Sequence, residues 1–499
     1  MTEALFQEIL MARRRVYAAF EPTPLQRLQT AAIEGEVFVK REDLSPIHSY
    51  KWRGAFNRMS VLTDEERERG VVAASAGNHA QGVAVAASKM HVRAKIYMPV
   101  STPRMKQLAV RQCGGEWVEV ALRGDDYNAS CEEASCVCRE QGLTFIHPYD
   151  DLLTMGGQGT LADEIVMSGQ GPFDTAYLQI GGGGMAASVA CWLKRYYPGI
   201  RIIGVEGEEQ ASMKAAIEAG KVVELPHVDL FSDGTAVKKA GELTYPLCRD
   251  LLDDIITVSN EELCAAIQLC WEAQRCIPEP AGAMGLAGLL QQKDQARGKR
   301  TVCVICGSNM DFGQFSWIAR HAGIGAAMRR FYRFEISEAK GSMLRLFEAF
   351  GGANIIEMQY GKTHNERAWP VIGLEASPEE MHLILQRCET LQIPHEDVTA
   401  EEDVEFRIIN YEPALMKAPY FFKVEFPERA GALRDFMRKV QGLASLCYFN
   451  YVYSGERIGR ALLAFEFDSE ELRAQFQHAL RNCGLVYYEI QERALRRML

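Results

Sequence analysis

The 499-residue sequence predicts an α/β domain built on a parallel sheet, followed by two small α+β units in tandem. Three observations carry that prediction. Up to about residue 325, short apolar runs alternate with helical stretches, as in strands laid side by side with helices over their faces. Past Gly325 the strand-like runs alternate apolar and polar residues instead, the mark of strands with one exposed face. Within this later region a segment repeats. Phe334-Glu-Ile-Ser-Glu-Ala-Lys-Gly341-Ser-Met-Leu matches Val424-Glu-Phe-Pro-Glu-Arg-Ala-Gly431-Ala-Leu-Arg, 431 − 341 = 90 residues further on.

In the first region the strand Val71–Ala74 leads into a helix from about His79, and 94–98 leads into a helix over 102–111. Strand 176–180 precedes a helix over 185–197, and strand 202–206 precedes one over 210–219. Functional loops in such folds lie at the C-terminal ends of the strands. Each copy of the repeat reads as strand (331–336; 420–426), acidic turn with glycine, amphipathic helix, then a second strand (354–360; 446–453). A further helix and strand close each unit, as in 469–483 and 486–490. The predicted division is 1–328, 329–410 and 411–499.

The net charge, 55 − 66 = −11, excludes a nucleic-acid or anionic-membrane partner. No apolar run approaches the length of a membrane span, and nothing at the N-terminus reads as a signal peptide, so a cytoplasmic protein is expected. The 14 cysteines are irregularly spaced, which suits free thiols in a reducing compartment. Cys303 and Cys306 spell C-x-x-C, but within a strand, where residues three apart face opposite sides. With no Cys/His ligand spacing elsewhere, no metal is expected.

Three segments point to chemistry. In His48-Ser-Tyr-Lys51-Trp-Arg-Gly54 the lysine has an aromatic residue on each side. Desolvation there lowers its pKa and frees the amine, as a Schiff-base lysine requires. In Ser75-Ala-Gly-Asn78-His-Ala-Gln-Gly82 a small-residue loop enters a helix with unpaired N–H groups, a site for a carboxylate; an ordinary capped turn has the same look. Gly181-Gly-Gly-Gly184-Met185 lets backbone wrap a phosphate at a helix N-terminus. That run also satisfies the dinucleotide fingerprint, with Glu206 at 206 − 181 = 25 residues on as the ribose acid, so a nicotinamide oxidoreductase stays open on local pattern.

Taken with the strand-end Cys306-Gly-Ser-Asn309, these segments resemble the fold-type II (tryptophan synthase β-like) pyridoxal-phosphate enzymes, whose motifs are S-[FY]-K-x-R-G, S-x-G-N-H-x-Q-G, G-G-G-G and [SC]-G-x-N. Asp233-Gly-Thr-Ala-Val-Lys238, Asp253-Asp-Ile-Ile-Thr-Val258 and Glu279-Pro-Ala-Gly-Ala283 narrow the resemblance to the biosynthetic threonine deaminases, which carry two ACT-like regulatory units. It spans nearly the whole chain.

The resemblance implies pyridoxal 5'-phosphate held by Lys51, which also acts as the base at Cα. It implies a phosphate cradle at Gly181, Gly182, Gly183, Gly184 and Met185, with Asn78 at the ring oxygen. Ser75, Ala76, Gly77, Asn78 and His79 are then expected to bind the substrate carboxylate. Cys306 takes the place facing the pyridine nitrogen, where these deaminases have serine and some serine dehydratases have cysteine. Either is a weak neutral donor. The implied reaction turns L-threonine into 2-oxobutanoate and ammonia, the first step of isoleucine biosynthesis, with isoleucine inhibiting, valine opposing it, and a homotetramer as the assembly. Glu206 suits the cation site of some relatives, but Ser212 stands where a second acid is expected, so no metal is assigned. An L-serine dehydratase and an inactive amino-acid sensor are the other readings.

Overall fold

The computed structural model describes residues 1–125, 127–405, 407–427, 431–452 and 458–490. Ala430 and Tyr453, and the residues past 490, thus lie outside the described part. The chain forms two compact units, meeting in sequence at Gly325 and Ala326.

The first unit holds two parallel sheets in place of the one expected. The larger runs Leu25–Leu28, Glu36–Arg41, Arg300–Ile305, Thr175–Gln179, Arg201–Gly207, Asp254–Val258, with only the first strand antiparallel. The smaller runs Val118–Leu122, Ala94–Met98, Val71–Ala74, Thr144–Phe145. Helix Leu152–Met167 is buried over most of its circumference and packs against helices Thr2–Tyr17, Lys51–Ser60 and Gly184–Tyr196. Such closeness needs missing side chains: a Cβ on Gly157 would sit 2.3 Å from the Arg53 carbonyl oxygen.

Most boundaries fall near their expected places. The helix expected over 102–111 occupies Arg104–Gly114, because Thr102 precedes Pro103 and is steered away from helical backbone. The helix expected over 210–219 begins at Ser212, where the Glu206 carboxylate caps its first amides.

In the second unit each repeat runs strand, helix, strand, strand, helix, strand. One antiparallel sheet joins them in the order His395–Asp397, Arg329–Phe334, Val371–Glu375, Asn354–Gly361, Ser445–Val452, Ile458–Glu466, Tyr420–Pro427, Val486–Glu489. The second half of that order repeats the first in reverse, as a two-fold relation requires. The seam is Asn354–Gly361 against Ser445–Val452, with Met358 opposite Tyr451. Joining there pairs two strand edges that would otherwise be open. One apolar core, including Phe347, Phe350, Phe422, Phe436, Phe465 and Phe476, runs through both repeats. Gly341 and Gly431 each cap the following helix at φ 87° and 78°, the left-handed backbone that favours glycine.

Candidate active site

The strands Val71–Ala74, Thr175–Gln179 and Arg300–Ile305 end at Ser75, Gly181 and Cys306, so three of the sequence-derived segments converge at the C-terminal ends of parallel strands. Lys51 begins helix Lys51–Ser60. Burial depresses its amine to about 8, against the opposing pull of Cys306 and Glu279. Its Nζ lies 5.3 Å from the Tyr50 ring and 3.5 Å from the Pro148 carbonyl oxygen. Trp52 plays no part in this. It is fully buried against Phe20, 4.8 Å between ring centroids, because adjacent helical residues do not share a face. The whole pocket, rather than both sequence neighbours, desolvates the lysine.

Two residues on from Lys51, Arg53 anchors the same helix. Its Nε donates to Glu42 at 2.8 Å and its Nη1 to Glu164 at 2.5 Å. Lys40 Nζ completes the square, 2.9 Å from Glu42 and 2.7 Å from Glu164. Two cations and two anions thus balance in the interior, which a buried charge requires. Sequence reasoning quoted Arg53 only as part of a motif.

The loop Ser75 to Gly77 enters helix Asn78–Met90, and a Cβ built on Gly77 meets open space, so the loop rims the pocket. The first amides of that helix have no carbonyl four residues back and are available to an anion. His79 is buried with Nε2 2.8 Å from the Ile146 carbonyl oxygen; burial and the Lys51 charge lower it to about 3, so it is neutral.

Asn78 does not wait free for a ligand. Its Nδ2 donates to Glu279 Oε1 at 2.7 Å, and its Oδ1 accepts from Asn309 Nδ2 at 2.8 Å. The Asn309 amide donates to the other Glu279 oxygen at 3.0 Å. Glu279 is buried, and burial followed by the Asp233 charge raises it to about 7. This carboxylate was missed as a site residue. Its signal was Glu279-Pro-Ala-Gly-Ala283, where an acid directly precedes the buried helix Pro280–Gln291.

At the glycine run, Gly183 has φ 92° and caps helix Gly184–Tyr196. A Cβ on Gly182 would lie 2.3 Å from the Tyr149 ring, and one on Gly184 2.8 Å from Gln158 Oε1. Bare backbone is therefore required, and the 13-residue helix presents its N-terminus beside it. The Met185 side chain goes into the core, leaving only its amide for a phosphate. Cys306 is buried, its thiol 3.5 Å from the Ala281 carbonyl oxygen, and burial together with Glu279 pushes it up to about 12. It is a neutral donor at pH 7. Cys303 faces the opposite side of the strand, 3.7 Å from the Gly285 carbonyl oxygen. Glu206 is buried, with its carboxylate occupied by the Met213 and Lys214 amides at 2.9 Å each. A ribose or a cation finds no free acid there, and no metal-ligating cluster occurs among the described residues. No helix among them is long and apolar enough to cross a membrane.

A depressed amine, a glycine-only cradle at a helix N-terminus and a neutral thiol around one pocket fit pyridoxal phosphate. In the second unit, pockets open beside both glycine turns. One is lined by Glu338, Gly341, Ser342, Tyr360, Met437 and Leu446. The other is lined by Phe350, Ile355, Gly431, Leu433, Arg434 and Tyr451. They differ: a Cβ on Gly341 meets nothing, whereas one on Gly431 would sit 2.7 Å from the Arg434 guanidinium.

A family model described as pyridoxal-phosphate dependent enzyme matches residues 16–307, and one for the C-terminal regulatory domain of threonine dehydratase matches 415–497. The chain is 36% identical to the biosynthetic L-threonine dehydratase of Burkholderia multivorans, over 97% of this chain and 96% of that one. It is also 36% identical to the biosynthetic L-threonine dehydratase of Escherichia coli, over 95% and 92%. Among solved structures, the processed form of threonine deaminase isoform 2 from Solanum lycopersicum aligns with TM-score 0.62 and 36% identity, covering 64% of this chain and 89% of that one.

Proposed function

The chain belongs to the pyridoxal-phosphate dependent enzymes, among the biosynthetic threonine dehydratases, and from that premise we propose that its pocket converts L-threonine into 2-oxobutanoate and ammonia. The observation that carries this reading is the buried Lys51 amine, depressed to about 8. Its cofactor is pyridoxal 5'-phosphate. Bound there, that group supplies the electron sink that makes an amino acid's Cα proton acidic.

The glycine-run amides and the Met185 amide would hold its phosphate, and Lys51 Nζ would hold its carbonyl carbon. The Asn78 amide, tethered by Glu279 and Asn309, is positioned for the ring oxygen. The Ser75 amide is taken by the Tyr97 carbonyl oxygen at 3.0 Å, so the Ser75 hydroxyl and the amides from Ala76 to His79 are the groups that would bind the substrate carboxylate and fix which Cα bond faces Lys51. Once the substrate amine has displaced Lys51 from the cofactor's carbonyl carbon, the freed Nζ would take the Cα proton, and the β-hydroxyl would leave, protonated, as water. Cys306 presents a neutral hydrogen-bond partner to the ring nitrogen, which favours prompt loss of the hydroxyl over a long-lived carbanion. Cys306 also favours a second reading in which L-serine is a substrate. An inactive sensor would need none of the pocket's chemistry.

The part after residue 328 is the regulatory portion, divided into 329–410 and 411–499 on the strength of the repeat and of its mirrored strand order. Isoleucine as inhibitor with valine opposing it suits a branch-point enzyme of isoleucine synthesis. The pocket at Gly341 is the better candidate for an effector, since Arg434 crowds its counterpart. A homotetramer in the cytoplasm completes the proposal, a compartment in which free thiols stay reduced.

The test is borohydride reduction of the loaded protein, peptide mapping of the retained cofactor, and assay of threonine, serine and nicotinamide dependence. Cofactor fixed on Lys51 with 2-oxobutanoate formed from threonine is the expected result. Cofactor fixed elsewhere, or turnover that requires nicotinamide, overturns it.

A further inference from the structure

Helix Asn260–Gln274 carries Cys270 near its end, and Cys276 follows Arg275, whose left-handed backbone (φ 54°) stops the helix. That reversal brings the Cys276 thiol to 3.8 Å from the Cys270 carbonyl oxygen, with both side chains in one buried apolar cluster. Arg41 stands beside them. Its Nη1 donates to Gln274 Oε1 at 3.3 Å, and its Nε and Nη2 grip Asp43 at 2.8 and 2.7 Å. A guanidinium next to a thiol favours the thiolate, the reactive form. The Cys270 contact followed by Arg41 lowers Cys276 against its burial, while the same contact and burial raise Cys270. Cys276 is 7% exposed, next to exposed Arg275, whereas Cys270 is 0% exposed. One sulfur is thus placed to meet a small oxidant and the other to resolve the product.

The pair also has a route to the active site. Three residues after Cys276 comes Glu279, whose carboxylate holds both Asn78 and Asn309. We propose that Cys270 and Cys276 form a dithiol that peroxide converts into an intrachain disulfide, lowering activity by displacing the segment that carries Glu279. In the first step the Cys276 thiolate attacks one peroxide oxygen. The O–O bond breaks, the departing hydroxide is protonated to water, and sulfur, two electrons poorer, is left as a sulfenic acid. The Cys270 sulfur then attacks that sulfur. The S–S bond forms, the S–O bond breaks, and the released hydroxide takes the Cys270 proton to leave as water. Two thiols and one peroxide give one disulfide and two waters. A disulfide holds its sulfurs at about 2.05 Å, closer than two thiols in contact, so Cys276 is drawn toward the helix and the short link to Glu279 must follow.

The full-length holoenzyme is treated with hydrogen peroxide, digested with trypsin without reductant and weighed. Trypsin cuts after Arg275, so the disulfide keeps the peptides on either side of that cut joined, lighter together by two hydrogen atoms. The joined peptides and a loss of most threonine turnover are expected, both reversed by dithiothreitol. Cys276→Ser should keep its basal turnover and keep it under peroxide. Cys270→Ser should accumulate a Cys276 sulfenic acid that dimedone traps. Separate peptides, a disulfide formed with turnover unchanged, equal loss in Cys276→Ser, or no trapping in Cys270→Ser each overturn the proposal. The mass readout does not depend on the substrate, so failure of the threonine assignment is told apart from failure of the dithiol.

Discussion

The Asn78 side-chain amide donates to Glu279 Oε1 at 2.7 Å, joining residues 201 positions apart in the chain. The bond ties the loop after the small sheet's strand Val71–Ala74 to the segment before helix Pro280–Gln291. It also brings an ionisable carboxyl within the field of the lysine amine. Glu279→Gln keeps a group of the same shape but removes the charge that raises Lys51, so the Lys51 amine should titrate below its present value of about 8. The check is the pH profile of cofactor capture by the cofactor-free protein, which should shift to lower pH. An unshifted profile would show that the two groups are not electrically coupled.

In the unsubstituted protein the same profile has a definite sign. Burial lowers Lys51 from 10.5 to about 8, and only the neutral amine attacks the cofactor's aldehyde. Capture should therefore rise about tenfold per pH unit below that value and level off above it. Stopped-flow absorbance between acidic and alkaline buffers measures it.

Lys51→Ala should abolish turnover and covalent retention of the cofactor while leaving the fold intact, because among the described residues the amine makes no ion pair and touches its surroundings through one long hydrogen bond, 3.5 Å to the Pro148 carbonyl oxygen, and the Tyr50 ring at 5.3 Å. Circular dichroism together with the visible absorbance band tests both halves. Near-normal turnover without added amine would remove Lys51 from the mechanism.

Arg53→Ala should destabilise the catalytic unit by about 3–5 kcal/mol, since it strands Glu42 and Glu164 in the interior with Lys40 as their only cation in the square. Urea unfolding of the cofactor-free protein reads this directly. A loss under about 1 kcal/mol would mean that water reaches the site, as at a surface ion pair.

At the strand end, Cys306→Ser exchanges one neutral donor for another and should change turnover little. Cys306→Asp should cost orders of magnitude, because a carboxylate there would keep the ring nitrogen protonated and divert the electrons. Steady-state rates of the two variants decide it, and equal rates would show that residue 306 does not face the ring.

Arg434→Ala clears the Gly431 pocket, which in the native chain the guanidinium crowds. Calorimetric titration with isoleucine should then reveal a second binding event beside the one expected at Gly341. Coupling between effector and substrate sites of about 1–3 kcal/mol would appear as a 5- to 150-fold change in apparent threonine affinity. A chain ending at Ala327 should ignore isoleucine altogether.

The sequence by itself determined the strand–loop–helix units at Ser75–His79 and Gly181–Met185, the cysteine at the strand end, and the 90-residue repeat. Each depends on local backbone physics: a period of apolar residues, a glycine where no Cβ fits, a helix N-terminus with free amides. Trp52 was misjudged because sequence adjacency to Lys51 does not say which way a helical side chain points. Glu279 and the square of Arg53, Glu42, Glu164 and Lys40 stayed hidden for a related reason. A buried charge is stable only beside groups that neutralise it or hydrogen-bond to it, and those lie 111 residues away for Arg53 and Glu164 and 201 for Glu279 and Asn78. The joining of the two repeats, Asn354–Gly361 against Ser445–Val452, was likewise decided by tertiary structure, because a strand edge can satisfy its hydrogen bonds with any strand that reaches it.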